Sequence, residues 1–284
     1  MEKTHGYSRL RWRTDARRVF PCFDEPALKA TFTVTLVVNK GLKCLSNMDV
    51  ASQVDVFSRG KEKNVVTFNP TPLMSTYLVA FTVGHLKMIE TNSFRVPIRV
   101  FAAEDKNVEL GRFNLELTSR TLKAFEKIFD IDFPLPKLDL IAIPGANGGA
   151  MENWGLVTFD ERLLLVNKKE NSAEVWRRGG SVMVHKLAHQ WVGNLVTMDF
   201  WEGLWLNEGF ADWEELYAWE ILEPGWKMWE SYASGGFQDG LELDSNRASH
   251  PIKVPVNRAG EINQNFDNIS YAKGCAVVRM ISSF

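Results

Sequence analysis

The chain has 284 residues, of which 45% are hydrophobic and 24% charged, and a formal net charge of −2 from 33 basic and 35 acidic residues. This is the composition of an ordinary globular protein of one large or two medium domains, and nothing in it argues for nucleic acid or an anionic membrane as the main partner. No apolar run approaches the ~20 residues of a membrane-spanning helix.

The N-terminus, Met-Glu-Lys-Thr-His, is followed by no apolar core of a signal peptide, so none is expected. Local basic stretches such as Arg11 to Arg18 read as a solvated face. Residues 30 to 100 read as strands. Ala30–Val38 is rich in β-formers, and Asn64–Phe68, Thr76–Val83 and Phe94–Phe101 repeat the theme between Gly, Pro, Asn and Ser. Short strands at this spacing predict an antiparallel sheet or sandwich.

After about residue 105 the texture changes. Val108, Leu110, Phe113, Leu117, Leu122, Phe125 and Phe129 recur near helical spacing, and Pro134 and Pro136 follow. Leu138–Ile143 reads as a short buried strand, Gly145 to Gly149 as a glycine-rich loop, and Leu156–Phe159 as strand again. Ser181–Gly193 and Gly209–Leu222 read as helices. A boundary is therefore expected near residue 100, between an all-β part and an α/β part, with no internal repeat. The three cysteines, Cys22, Cys44 and Cys275, are far apart and lack metal-site spacing, which fits a reducing compartment and a default cytoplasmic location. Ten Trp and eighteen Phe imply a bulky core or an apolar cleft.

The sharpest signal is His185-Lys186-Leu187-Ala188-His189. Residues i and i+4 share a helix face with Cβ atoms ~5–6 Å apart, so two imidazoles so placed can grip one metal ion. Glu208 follows His189 after eighteen residues and is expected at the start of the second helix. Two His and one Glu with an open fourth position is the layout of a catalytic zinc site. A lone His-x-x-x-His pair is more often structural, but Glu208 and the aromatic context of Trp191 and Trp205 shift that balance. His85 and His250 read as ordinary surface or turn residues.

The stretch His185-Lys186-Leu187-Ala188-His189-Gln190-Trp191-Val192-Gly193-Asn194 resembles the metal helix of zinc aminopeptidases of the gluzincin clan, of the puromycin-sensitive and fungal alanine/arginine type. Gly149-Ala150-Met151-Glu152-Asn153 matches a second hallmark, and Ile269 to Gly274 (Ile-Ser-Tyr-x-Lys-Gly) a third. Asp15-Ala16-Arg17-Arg18 and Phe20 to Pro26 match the family's N-terminal part. The resemblance implies an α+β fold: a partial β-sandwich over 1–100, then an incomplete, thermolysin-like zinc domain over 101–284. It implies one Zn²⁺ on His185, His189 and Glu208, and a peptide substrate with a free N-terminus. Glu152 would anchor the substrate amine, and the backbone of Gly149 and Ala150 would pair with the extended peptide. Met151 and Asn153 complete that strand. Tyr271 would donate to the oxyanion. Glu215, two turns past Glu208, would orient a zinc-bound imidazole, with Asp212 as a competitor for that role. Read alone, Glu152 is a loop carboxylate, Tyr271 a core tyrosine and Glu215 a solvated helix charge.

The chain also departs from the family. Lys186 occupies the position of the family's general-base glutamate, and an ammonium offers donors only. Trp12 replaces a glutamate that helps bind the amine. Gly145 and Ala146 replace an Asp-Phe pair at the first substrate pocket. Gly179 and Gly180 are expected at the start of the metal helix. The family carries more chain at both ends, so the sequence reads as a fragment. The expectation is a zinc aminopeptidase by descent, impaired by Lys186. The alternatives are a non-catalytic zinc- or peptide-binding relative and, more remotely, an epoxide hydrolase on the same scaffold. The latter reads Gly-Gly-Met-Glu-Asn-Pro where Gly149 to Trp154 stand.

Overall fold

The computed structural model describes residues 15–146 and 149–284. Trp12, and Asn147 and Gly148 of the glycine-rich loop, lie outside the described residues. The N-terminal part holds two small antiparallel sheets. Strand β1 (Thr35–Asn39) starts the chain of sheet elements, followed by β2 (Lys43–Ser46), β3 (Val50–Ser58), β4 (Lys61–Phe68) and β5 (Phe81–Gly84). One sheet runs β1-β4-β3, with Val37 opposite Val65 and Val54 opposite Val65 on the other side; the second pairs β2 with β5. β-branched pairs directly opposite one another stabilise such ladders.

Three expected strands are shorter than their β-propensity suggested; of Phe94–Phe101 only the part from Ile98, after Pro97, is strand. Thr76–Val83 is not one strand: Thr76–Leu78 is a 3₁₀ turn and β5 begins at Phe81. The hydroxyls explain this, since Thr76 Oγ1 donates to Asp24 Oδ1 (2.7 Å) and Ser75 Oγ to the Pro26 carbonyl (2.5 Å). Such local polar bonds compete with a ladder. Likewise Ala30–Phe32 is tied to Thr71 and Met74 by isolated bonds, so β1 begins only at Thr35.

The central sheet has five strands in the order β6-β7-β8-β10-β9. Its members are β6 (Leu86–Thr91), β7 (Ile98–Ala103), β8 (Leu138–Ile143), β9 (Ala150–Met151) and β10 (Leu156–Asp160). β7, β8 and β10 are parallel, and the outer strands β6 and β9 run antiparallel to their neighbours. β8 and β10 are buried along their whole length, as expected of parallel strands covered on both faces. The boundary expected near residue 100 falls within β7, so this sheet draws strands from both sides of it.

Helix α1 (Arg112–Phe129) follows a 3₁₀ turn at Val108–Gly111 and buries Leu115, Leu122 and Phe125. After the short α2 (Glu161–Leu164) comes α3 (Ala173–Ala188), and then α4 (Leu204–Leu222), α5 (Met228–Ser234), α6 (Gly236–Ser245) and α7 (Gly274–Ser282). Helix α3 corrects the expected Ser181–Gly193. It starts two turns earlier, where the Ser172 hydroxyl accepts from the Val175 N–H, and it ends at Ala188. Gly179 and Gly180 are therefore mid-helix, not at its start. Close packing accounts for them: a Cβ on Gly179 would lie 2.7 Å from the Leu163 carbonyl oxygen, and one on Gly180 3.2 Å from the Trp219 ring. Helix α4 likewise starts before Gly209 and carries Glu208 in its second turn. A Cβ on Gly209 would come 2.6 Å from Gly274, so this glycine lets α4 meet α7 rather than marking a helix end.

Trp154, Trp191, Trp219, Phe125, Phe133 and Phe159 are the largest fully buried side chains. They account for much of the aromatic load. Trp191 packs against Phe125, Phe129 and Phe133, and its indole N–H donates to the Ile131 carbonyl at 3.0 Å. This cluster fixes the last turn of α3 against α1. Among the described residues no helix is long and apolar enough to cross a membrane.

Candidate metal and peptide site

His185 and His189 project from one face of α3 toward α4. Their Nε2 atoms lie 3.0 Å apart, and Oε2 of Glu208 is 3.3 Å from each. All three side chains are buried. The ring orientations are set from behind. Nδ1 of His189 faces the Val192 carbonyl at 3.1 Å, and Nδ1 of His185 faces Asp212 Oδ1 at 2.9 Å. An acceptor on each Nδ1 leaves the Nε2 lone pair for the cluster, the arrangement found around bound metals. Three converging donor atoms of the right kind fit one zinc ion.

Behind His185, Asp212 at 2.9 Å is nearer than Glu215, whose Oε2 is 3.7 Å away. Burial and the Lys186 charge push His185 down, but the hydrogen bonds to Asp212 and Glu208 outweigh them and raise it to about 9. Burial lowers His189. Burial also raises Glu215, to about 7. Glu214, turned into the core, is pushed well above the usual carboxylate range by burial.

Lys186 is the residue after His185, and its charge lies close enough to act on both imidazoles. Its Nζ donates to Glu152 Oε2 at 2.8 Å. Both groups are buried, with side-chain exposures of 8% and 1%. The structure thus joins two residues that the sequence treated separately.

Glu152 follows β9, which among the described residues pairs only with β10 and forms the edge of the central sheet. Gly149 has φ +93°, a left-handed conformation that suits glycine, and its carbonyl accepts from the Asp160 N–H at 2.7 Å. Asn153 donates to the Leu78 carbonyl at 3.3 Å and faces the Thr158 hydroxyl. Ala150 and Met151 are half-buried. Ala146, expected in the wall of a substrate pocket, packs with Leu45, Ile143 and Leu156. Tyr271 lies in a single π turn (Ile269–Lys273) just before α7, its ring centroid 6.0 Å from that of His185.

Three residues that hold this site together were not singled out from the sequence. Asn194 Nδ2 donates to the Glu152 carbonyl at 2.9 Å, and Gln190 Nε2 to the carbonyls of Glu152 (3.2 Å) and Lys186 (3.1 Å). Both stand within the metal-helix motif itself, but no role was read for them there. Lys137 is the third. Its buried Nζ donates to the carbonyls of Ser46 and Gly155, each at 2.7 Å, and pairs with Asp139. No local pattern announces it. His85 lies between β5 and β6, and His250 pairs with Asp267 at 2.7 Å, away from the cluster.

Comparison with known proteins agrees with this geometry. The chain is 54% identical over 271 residues to the alanine/arginine aminopeptidase of Saccharomyces cerevisiae, which covers 95% of this chain and 31% of the relative. Aminopeptidase 2 of Candida albicans is 52% identical, and aminopeptidase M1 of Arabidopsis thaliana 46%, each over 95% of this chain. They are covered to 29% and 30% of their own length, so the chain spans about a third of the curated relatives it matches. The family model for the peptidase M1 N-terminal domain matches residues 12–78. The peptidase family M1 domain matches residues 113–284, more than half of the chain, and together with the His185-His189-Glu208 cluster this establishes that the chain belongs to peptidase family M1.

Proposed function

We propose that this chain carries a zinc aminopeptidase site that binds zinc and an extended peptide but turns substrate over poorly, because Lys186 stands at the proton-accepting position. The observation that carries the reading is the convergence of His185 Nε2, His189 Nε2 and Glu208 Oε2 beside the edge strand that leads to Glu152. When bound, zinc supplies a Lewis acid that polarises a carbonyl and acidifies water. His185, His189 and Glu208 would hold it, with Asp212 and Glu215 orienting His185. The edge of β9, from Gly149 to Met151, pairs with the backbone of the peptide as an added strand. Glu152 is the carboxylate facing the substrate's N-terminal end. Tyr271 donates a hydrogen bond to the developing oxyanion.

The weak step is proton transfer. An ammonium has three donors and no acceptor, so Lys186 cannot take the proton of an attacking water. Loss of a general base lowers rates by ~10²–10⁴. The relatives named aminopeptidases support hydrolysis of peptides at the N-terminus as the ancestral activity. The cytoplasm is the proposed location, since the free thiols Cys22, Cys44 and Cys275 suit a reducing compartment; one yeast relative is named mitochondrial.

The test joins zinc analysis with turnover of an alanyl- or arginyl-fluorophore, on wild type and Lys186→Glu. One zinc per chain in both proteins is expected, with turnover ~10²–10⁴ higher in the variant. Chelator-sensitive turnover of wild type at the level of the variant would overturn the assignment of Lys186 as disabling.

A further inference from the structure

The Lys186–Glu152 pair does more than remove a base. The geometry points to Lys186 as a built-in occupant of the amine subsite: its ammonium takes the place of a substrate α-ammonium on Glu152, so this chain binds peptides whose N-terminus is acylated at least as well as those with a free amine. The inference rests on the reading above that Glu152 faces the substrate's N-terminal end.

The two ammonium groups are chemically alike, each with three donors and one positive charge. The contact from Nζ to Oε2, 2.8 Å, is the length of a charge-assisted hydrogen bond, so Glu152 already holds an ammonium as it would hold a substrate's. The frame around the pair is stiff. Gln190 donates to the main-chain carbonyls of both partners, and Asn194 donates to that of Glu152. Those amides tie the Glu152 backbone to the end of α3, the helix that carries Lys186. Neither partner can move away as part of a loose loop.

A free-amine peptide then meets two bad choices. Its ammonium can sit beside Lys186 as a like charge in a site shielded from water, where such repulsion is stronger than in bulk solvent. Otherwise it can displace Lys186, which leaves a buried ammonium without its partner. An acylated N-terminus meets neither. It carries no charge, and its carbonyl oxygen can accept from the lysine. With Lys186 on Glu152 the site reads a neutral acceptor in place of a cation.

The test uses the zinc-loaded full chain and two probes, alanine hydroxamate and N-acetylalanine hydroxamate, which share a metal-binding end and differ only at the amine. Dissociation constants come from titration calorimetry. In wild type the acetylated probe is expected to bind as tightly as the free-amine probe, or more tightly. In Lys186→Gln the free-amine probe should bind at least tenfold tighter than the acetylated one, and adding Glu152→Gln should erase that preference. Lys186→Met gives the same comparison if the glutamine variant does not fold. A tenfold preference for the free amine in wild type, or an unchanged ratio in both Lys186 variants, would overturn the inference. If neither probe binds any of these zinc-loaded proteins, the peptide-site reading itself fails and this inference falls with it.

Discussion

Two adjacent positions on α3 meet the same problem of buried charge in opposite ways. His185 and His189, with Glu208, bring three ligand atoms within 3.3 Å of one another, a set that could hold a metal ion. Lys186, the next residue after His185, supplies its own cation to Glu152. One cluster is arranged for something from outside, and the other is closed on itself. A single step along a helix turns a side chain by about 100°, so His185 meets Glu208 while Lys186 meets Glu152. The comparison teaches that a site can keep its metal-binding half while its substrate-binding half is neutralised from within.

Breaking the closed half should have the largest effect on stability. Glu152→Gln or Lys186→Met alone leaves one buried charge unpaired, which costs about 3–5 kcal/mol. The double variant should cost much less than either single one, because both charges leave together. Denaturant unfolding of the four proteins in one cycle measures this. Additive losses would mean that the two groups are not coupled.

The open half should respond to its supports. Asp212→Asn, which weakens the acceptor 2.9 Å from His185, is expected to lower zinc affinity by ~10–100-fold, and Glu215→Gln, at 3.7 Å, by less. Competition with a chelating dye reads both. The reverse order would restore Glu215 as the principal orienting group.

Proton linkage sharpens the same contrast. His185 is raised from 6.5 to about 9, so its contribution to stability is fully present below pH 6.5 and is lost as pH rises through about 9. Glu215 is raised from 4.5 to about 7, so the folded state keeps a proton that the unfolded chain releases, and stability again falls as pH rises from 4.5 to 7. His189, lowered by burial, opposes these two below pH 6.5, so the clearest loss of thermal stability in the zinc-stripped protein should come as pH rises from 6.5 through about 9. Zinc binding at pH 7 should release close to one proton, seen as a dependence of the calorimetric heat on buffer ionisation enthalpy. No buffer dependence would mean that His185 is already neutral at that pH.

Much of this was legible in the sequence for a physical reason. A metal site on a helix needs fixed spacing, so His185, His189 and Glu208 declare themselves. The strand leading to Glu152 is equally local. What could not be read was the contact between Lys186 and Glu152, because it joins residues 34 apart through tertiary packing. The glycines misled in the same way. Gly179, Gly180 and Gly209 look like helix boundaries, yet they sit inside helices, where Leu163 and Gly274 come too close to Gly179 and Gly209 for a side chain and Trp219 packs tightly on Gly180. Lys137 has no local signature because all of its partners are distant except Asp139. Sequence reports spacing well and close approach poorly.

The smallest predicted effect tests the premise of the whole comparison, that burial and not distance gives the Lys186–Glu152 pair its weight. Arg120 and Glu223 also meet at 2.8 Å, but with side-chain exposures of 50% and 37%. Water screens such a pair, and its loss costs about 0.2–1 kcal/mol. Arg120 also donates to the Leu222 carbonyl at the end of α4, which helps satisfy one of the free helix carbonyls. Glu223→Gln removes the charge and keeps that second bond, so it isolates the ion pair. Denaturant unfolding should place this variant within about 1 kcal/mol of wild type, several-fold less than Glu152→Gln under the same conditions. A loss as large as that of Glu152→Gln would show that contact distance sets the energy, and the account of a site neutralised by a buried lysine would lose its energetic basis.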